Sequence, residues 1–363
     1  MFCIINRKRR NFFRMKILVV GSSEDSGGGV SSVINIIRQM PVWEEYKCYW
    51  LGTQIQAGIC IKLWYALKAY LKALFIIWKY DIVHFHTVPD FSVWVQLPVF
   101  VLALLGNKKI IMHLHVGNQL GMKMCTKYRL AHWCMQKADV LVLLAHRFCP
   151  LLDEYWPEVK TRRVVVYNAI EMPERAFSVT HEAKRHTILF AGTFNNNKSG
   201  DILIKAFAQI VEKFPDWKLQ MLGNGPQYNY YKNLVCSLGV EDNVEMPGYI
   251  SGKEKEKYFK YAGIYVMCSK YEGFPMVVLE AWAHCTPVVT TMVGGLPDIL
   301  EDGKNALVFD YNDVKQLAEK LEILMENERL RSYIGENGCM IVEKKFSLKV
   351  VNEQLADLYS SLM

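Results

Sequence analysis

The sequence predicts an α/β chain, built as two Rossmann-like, doubly wound parallel-sheet domains facing across a cleft. Three observations predict it. The chain has 363 residues, enough for two domains of roughly 150–200 residues. Short β-branched runs alternate with helical patterns, the signature of βαβ units and a parallel sheet. A first strand ending at a glycine turn occurs twice, at 15–21 and again at 186–192.

In the first half the strand candidates are 17–20, 82–85, 109–114, 140–143 and 164–166. Their near-continuous apolar character suits parallel strands buried on both faces. In the second half strands at 186–192, 218–222, 244–246, 264–267, 287–290 and 306–309 alternate with helices at 201–214, 227–238, 253–261 and 276–284. Pro173, Glu174, Arg175 and Ser178 interrupt the pattern, so the boundary is placed between 171 and 186. The division is a basic extension (1–14), a first domain (15–178), a second domain (179–346) and a final helix (347–363) expected to pack back on the first domain.

Composition bounds the function. Hydrophobic residues make up 51% and charged residues 22%, as in globular chains. The net charge of +7 fits an anionic substrate, an anionic membrane surface or a nucleic acid without choosing among them. Much of it sits in Arg7, Lys8, Arg9, Arg10 and Arg14, which read as a solvated tail or a weak membrane-surface contact. No nucleic-acid recognition motif is present. The ten cysteines form no CxxC pair, so free thiols in a reducing cytoplasm are expected. No long apolar stretch follows the basic run, so no signal peptide is assigned.

Two apolar stretches require a membrane test. Residues 91–105 contain Gln96 and Pro98 and fall short of the roughly 20 residues a spanning helix needs. Residues 63–78 are interrupted by Lys68 and Lys72 and predict an amphipathic helix. A buried or half-buried helix is the expectation, with a helix lying on a membrane interface as the alternative.

The chemistry concentrates at strand ends, where open α/β sheets bind ligands. The most informative segment is Cys268-Ser269-Lys270-Tyr271-Glu272-Gly273-Phe274-Pro275-Met276-Val277-Val278-Leu279-Glu280. A strand ends, a loop turns and a helix begins, with Pro275 expected in its first turn. Gly273 permits close backbone approach. Helix-start amides at Phe274–Val277 suit a phosphate or sugar hydroxyls. Glu272 and Glu280 would accept hydrogen bonds from different hydroxyls of one polar ligand.

With this segment the chain resembles the family 4 retaining glycosyltransferases of the GT-B fold, also called glycosyl transferases group 1, over nearly all of 15–363. Glu272 and Glu280 match the family's Glu-x7-Glu motif. The resemblance implies that Glu272 and nearby amides hold the donor sugar and that Glu280 binds the ribose. The family opens its second domain with Gly-Arg and then Lys-Gly, whose cations bind the diphosphate. Here Gly192 is followed by Thr193 in place of Arg, and Lys198 by Ser199 in place of Gly. With one usual cation missing, the resemblance implies that diphosphate binding leans on Lys198, backbone amides or another basic residue. Gly223, in the turn Gly223-Asn224-Gly225-Pro226, resembles a loop near the nucleotide. Tyr249 resembles the segment lining the base, and Gly294-Gly295-Leu296-Pro297-Asp298 resembles the family's Gly-Gly-x-Pro-Glu turn.

In the first domain Gly27-Gly28-Gly29-Val30 follows the first strand. It is not GxGxxG, so an NAD enzyme is not expected. The resemblance puts Gly28 and Gly29 beside the donor phosphates and Gly28 beside the acceptor. His115 matches the family's active-site histidine, and Asn168 its Asn-Gly turn. His86 and Asn118 are assigned to the acceptor. His84, His86, His113 and His115 lack close acidic partners, and successive strand residues face opposite ways, so no metal and no cofactor is expected.

The implied reaction moves a hexosyl-type sugar from a nucleoside diphosphate to an acceptor hydroxyl with retention. The acceptor expected is a carbohydrate or lipid-linked molecule, reached in the cytoplasm or at the inner face of its membrane, in surface polysaccharide or glycolipid synthesis. Alternatives are another GT-B enzyme, such as a sugar-nucleotide epimerase or a phosphorylase, and a non-catalytic nucleotide- or carbohydrate-binding relative.

Overall fold

The computed structural model describes residues 15–26, 28–55, 57–89, 91–115, 128–173 and 185–362. The boundary assigned at 178/179 lies outside them, as do the basic extension, Gly27 and Asn118.

The first sheet contains β1 (Ile17–Ser22), β2 (Tyr49–Gln54), β3 (Ile82–Thr87), β4 (Lys109–Leu114), β5 (Val140–Leu143) and β6 (Arg162–Val165), in the order β2-β1-β3-β4-β5-β6. The second contains β7 (Thr187–Ala191), β8 (Lys218–Leu222), β9 (Val244–Gly248), β10 (Ile264–Met267), β11 (Val288–Thr291) and β12 (Leu307–Phe309), in the order β12-β11-β10-β7-β8-β9. All pairs are parallel. Every residue of β3, β7, β10 and β11 is buried, as helices on both faces of a parallel sheet require.

Those helices are α1 (Gly29–Arg38), α2 (Pro41–Glu45), α3 (Ile59–Ile76), α4 (Phe91–Leu105), α5 (Arg129–Lys137) and α6 (Phe148–Tyr155) in the first half. The second half has α7 (Gly200–Ile210), α8 (Tyr228–Leu238), α9 (Gly252–Tyr261), α10 (Met276–Ala283), α11 (Val314–Glu326) and α12 (Glu328–Ile341). In each sheet the strand order reverses once, between β1 and β3 and between β7 and β10. At such a switch point neighbouring loops diverge and leave a crevice. The loops after β7 and β10 carry Lys198 and Glu272.

A π-helical turn, Val342–Phe346, leads into α13 (Leu348–Ser360), which lies on the first domain. The Ile170 amide donates to the Phe346 carbonyl at 2.9 Å, and the Val42 amide to Asn352 Oδ1 at 2.8 Å. Val351, Leu355, Leu358 and Tyr359 join one core with Ile17, Val19 and Ile82.

Helix α3 meets expectation only in part. Its fully buried side is alanine, at Ala66, Ala69 and Ala73, where small side chains let it lie close to β2 and α4. Trp64, Leu67, Leu71, Leu74 and Phe75 face outward while Tyr70 and Ile76 pack partly on the core, so the helix is half-buried, but largely by its small side chains, with most of its large apolar residues exposed. Among the described residues no helix is long and apolar enough to cross a membrane.

Candidate functional site

The loop after β7 is shaped by its asparagines. Asn195 Oδ1 accepts from the amides of Asn197 at 3.0 Å and Lys198 at 2.9 Å, closing a local turn of the kind Asx residues favour. Asn197 then reaches the other switch-point loop: its Nδ2 donates to the Tyr271 carbonyl at 2.9 Å, and its Oδ1 accepts from the Tyr271 amide at 3.0 Å. The two loops are thereby fixed to one another, and Lys198 Nζ pairs with Glu272 Oε1. Ser199 holds a left-handed conformation, φ 47°, which explains the glycine expected there. Its hydroxyl donates to the Asn196 carbonyl at 2.8 Å, a contact glycine cannot make.

Eight residues after Glu272, on α10, Glu280 has both oxygens held by Lys255 Nζ, at 2.8 and 2.7 Å. The Tyr265 phenol is pushed well up, first by burial and then by the neighbouring Glu280 and Glu272 carboxylates. Pro275 is the residue preceding the helix, with ψ 110°, and not the first helical one. The first-turn amides are therefore those of Met276 and Val277, which have no acceptor within the helix by position.

Glycine contacts make this loop compact. A Cβ on Gly294, where φ is +62°, would stand 2.4 Å from the Gly273 carbonyl oxygen. The Gly295 amide donates to that oxygen at 2.7 Å. At Gly223, φ +154°, a Cβ would fall 1.9 Å from the Gly192 carbonyl oxygen. Over Gly192 itself runs the aliphatic stem of Lys198.

The strand ends of the two domains meet here. Asn168 Nδ2 donates to the Phe274 carbonyl at 3.4 Å, the Arg147 amide to Asp298 Oδ2 at 3.2 Å, and the Phe274 ring lies 5.5 Å from Tyr167. Phe274 is 5% exposed, so its side chain builds the seam and only its backbone faces the loop.

A family model described as "Glycosyl transferases group 1" matches residues 171–339. An uncharacterised glycosyltransferase of Methanocaldococcus jannaschii is 32% identical over 266 residues, spanning 70% of this chain and 72% of that one. The chain belongs to the glycosyl transferases group 1 family. A second glycosyltransferase of the same organism is 30% identical over 249 residues, 65% of this chain and 63% of its own length. The fold matches Anabaena HepE in complex with UDP-glucose, TM-score 0.74 at 18% identity over 96% of this chain and 100% of that one. It also matches sucrose-phosphate synthase from Thermosynechococcus elongatus, TM-score 0.78 at 19% identity over 96% and 99%. Both likenesses establish the two-domain GT-B architecture.

In this glycosyltransferase Gly28 precedes α1, and its amide donates to Ser31 Oγ at 3.0 Å. Gly29 opens that helix, Thr193 is exposed, and Tyr249 is 70% exposed. His86 is 1% exposed and bonds through Nδ1 to His115 Nε2 at 2.9 Å. It therefore lies behind His115 and not on an open acceptor surface.

The four histidines are closer than expected. Positions two apart on a strand share a face, and β3 and β4 are neighbours, so all four imidazoles form one column. Its far end is capped by Tyr359, whose hydroxyl lies 2.9 Å from His84 Nδ1. His84, His86 and His113 bring ligand-type nitrogens within 4.8 Å of one another. The ring planes of His84 and His113 are stacked 7° from parallel, however, so their in-plane lone pairs do not converge. Burial holds all four rings toward the neutral form, to about 3 for His84 and about 4 for His115.

Sequence reasoning missed Lys255 and Asn197. Lys255 stands in the run Lys253-Glu254-Lys255-Glu256-Lys257, which offers no local signal. Asn197 carried one, the run of three asparagines before Lys198.

Proposed function

We propose that this glycosyltransferase moves a hexosyl-type sugar from a nucleoside diphosphate to an acceptor hydroxyl with retention, in surface polysaccharide or glycolipid synthesis at the cytoplasmic face of the membrane. The observation that carries it is the pair of lysine-held carboxylates at one switch point, Lys198–Glu272 and Lys255–Glu280, beside the start of α10. A paired Lys198 is kept in place until the donor arrives. The diphosphate then supplies a competing anion, and Glu272 is released to accept from sugar hydroxyls. Lys198 and the Met276 and Val277 amides offset the charge that grows on the leaving diphosphate, so the reading requires no metal there. Glu280 accepts from the ribose.

In this scheme the bond from the anomeric carbon to the diphosphate oxygen breaks as the acceptor oxygen bonds to that carbon from the same face. The acceptor proton passes to the departing phosphate oxygen, and His115 contacts the sugar or acceptor. The UDP and UDP-glucose bound in structures of HepE make UDP-sugars the first to test. Thermal shifts against UDP-, GDP- and ADP-sugars read the donor by mass action, and NMR of the product reads the anomer. An inverted product, or a nucleotide sugar epimerised without acceptor, refutes the proposal.

A further inference from the structure

The outward face of α3 is the least explained surface of the molecule. Trp64, Leu67, Leu71, Leu74, Phe75 and Trp78 recur at three- and four-residue intervals, so they form one stripe along the helix. They are exposed, Trp64 by 60% and Phe75 by 76%. The stripe continues onto the next helix: Trp78 lies against the end of α4 at Gly106, beside Leu105, which is 75% exposed, and Trp94 stands exposed near the start of α4. Monomeric soluble proteins rarely leave so continuous an apolar surface uncovered.

Charge decides what covers it. Residues 58–80 contain Lys62, Lys68, Lys72 and Lys79 and no Asp or Glu, and all four lysines are exposed. Lys68, Lys72 and Lys79 flank the stripe along one side. An apolar ridge carrying tryptophans, bordered by lysines and free of acids, matches the interface of an anionic bilayer: rings and aliphatic chains enter the acyl boundary while ammonium groups stay among the headgroups. A second copy of this chain would set lysines of the same sign against one another, which like-charge repulsion disfavours.

We propose that the α3–α4 face docks this glycosyltransferase on an anionic membrane surface. The topology places the site accordingly. Helices of βαβ units begin at the carboxyl ends of the strands they follow, so Trp64 near the start of α3 and Trp94 near the start of α4 lie at the cleft end of the domain. Helix α3, 18 residues long, runs about 27 Å from there along the flank. A membrane held on this face meets the cleft at its rim, where a lipid-anchored acceptor can present its sugar without leaving the bilayer. This consequence rests on the glycolipid or polysaccharide role, whereas docking itself is read without donor or acceptor.

The test is flotation of the full chain with vesicles of phosphatidylcholine containing about 30 mol % phosphatidylglycerol, or none. Wild type floats with the anionic vesicles and much less with the neutral ones. A variant carrying Leu67→Ser, Leu71→Ser, Leu74→Ser and Phe75→Ser loses partitioning by about tenfold or more. A Lys68→Glu, Lys79→Glu variant loses it chiefly at low salt. Both variants keep the donor-induced thermal shift, which separates a failed docking surface from a failed donor site. Equal flotation of wild type and the serine variant overturns the proposal. So does a wild type that ignores vesicles yet forms a dimer dissolved by the same serine substitutions.

Discussion

Lys255 grips both oxygens of Glu280, at 2.8 and 2.7 Å, across 25 positions of sequence. The lysine comes from α9 and the carboxylate from α10, so the orientation of the proposed ribose ligand is set by a neighbouring helix. Lys255→Met should leave Glu280 free to rotate, raising the donor KM about tenfold with kcat little changed. Lys255→Arg should restore much of the loss. Steady-state kinetics at varied donor concentration check both, and a fall confined to kcat contradicts the assignment.

Glu272 and Lys198 make the other pair. Glu272→Ala should lower transfer by about a hundredfold while far-UV circular dichroism stays unchanged. Lys198→Ala should weaken the nucleoside diphosphate about tenfold and the nucleoside hardly at all. Calorimetric titration with UDP and uridine distinguishes them, and equal losses for both ligands would remove Lys198 from the diphosphate.

Gly223→Ala should cost roughly 2–3 kcal/mol. The new Cβ would meet the Gly192 carbonyl oxygen at 1.9 Å, in a backbone conformation that side chains disfavour. Denaturant unfolding measures the cost. Donor affinity should fall with it, because Gly192 carries the stem of Lys198.

The histidine column makes stability fall in mild acid. Burial lowers the folded-state values, to about 3 for His84 and about 4 for His115, whereas an unfolded histidine titrates near ~6.5. The unfolded chain therefore binds more protons than the folded one below about 6.5. The contribution is complete above that pH and declines as pH falls from about 6.5 toward 4. Melting temperature followed between those limits should drop. His113→Leu should flatten the drop, because both His113 nitrogens are buried with no hydrogen-bond partner among the described residues. An identical pH profile in the variant would contradict this account.

Much of the fold was legible because buried parallel strands announce themselves as apolar runs. Tyr49–Gln54 was not, because β2 is an edge strand with only Leu51 and Thr53 buried, and Gly52 further weakens its pattern. The helix at 59–76 was legible as a helix but not by its orientation. Hydropathy assigns Leu, Trp and Phe to the core, whereas packing against β2 and α4 placed alanine there. At the site, Glu272, Glu280 and Lys198 were legible through the resemblance of their segments to the family's Glu-x7-Glu motif and its lysine position. Lys255 did not, since a lysine that crosses between helices looks like any solvated lysine in a charged run. The histidines misled for a geometric reason, since a spacing of two along a strand brings side chains together.

The return of α13 to the first domain has a consequence for biosynthesis. The core around Ile17, Val19 and Ile82 is completed by Val351, Leu355 and Tyr359, which are translated after the whole of the second domain. The amino-terminal half thus emerges from the ribosome with one wall missing, and stalled chains ending before residue 348 should be cut by protease chiefly in that half. A premature stop far downstream would disable the part of the enzyme made first.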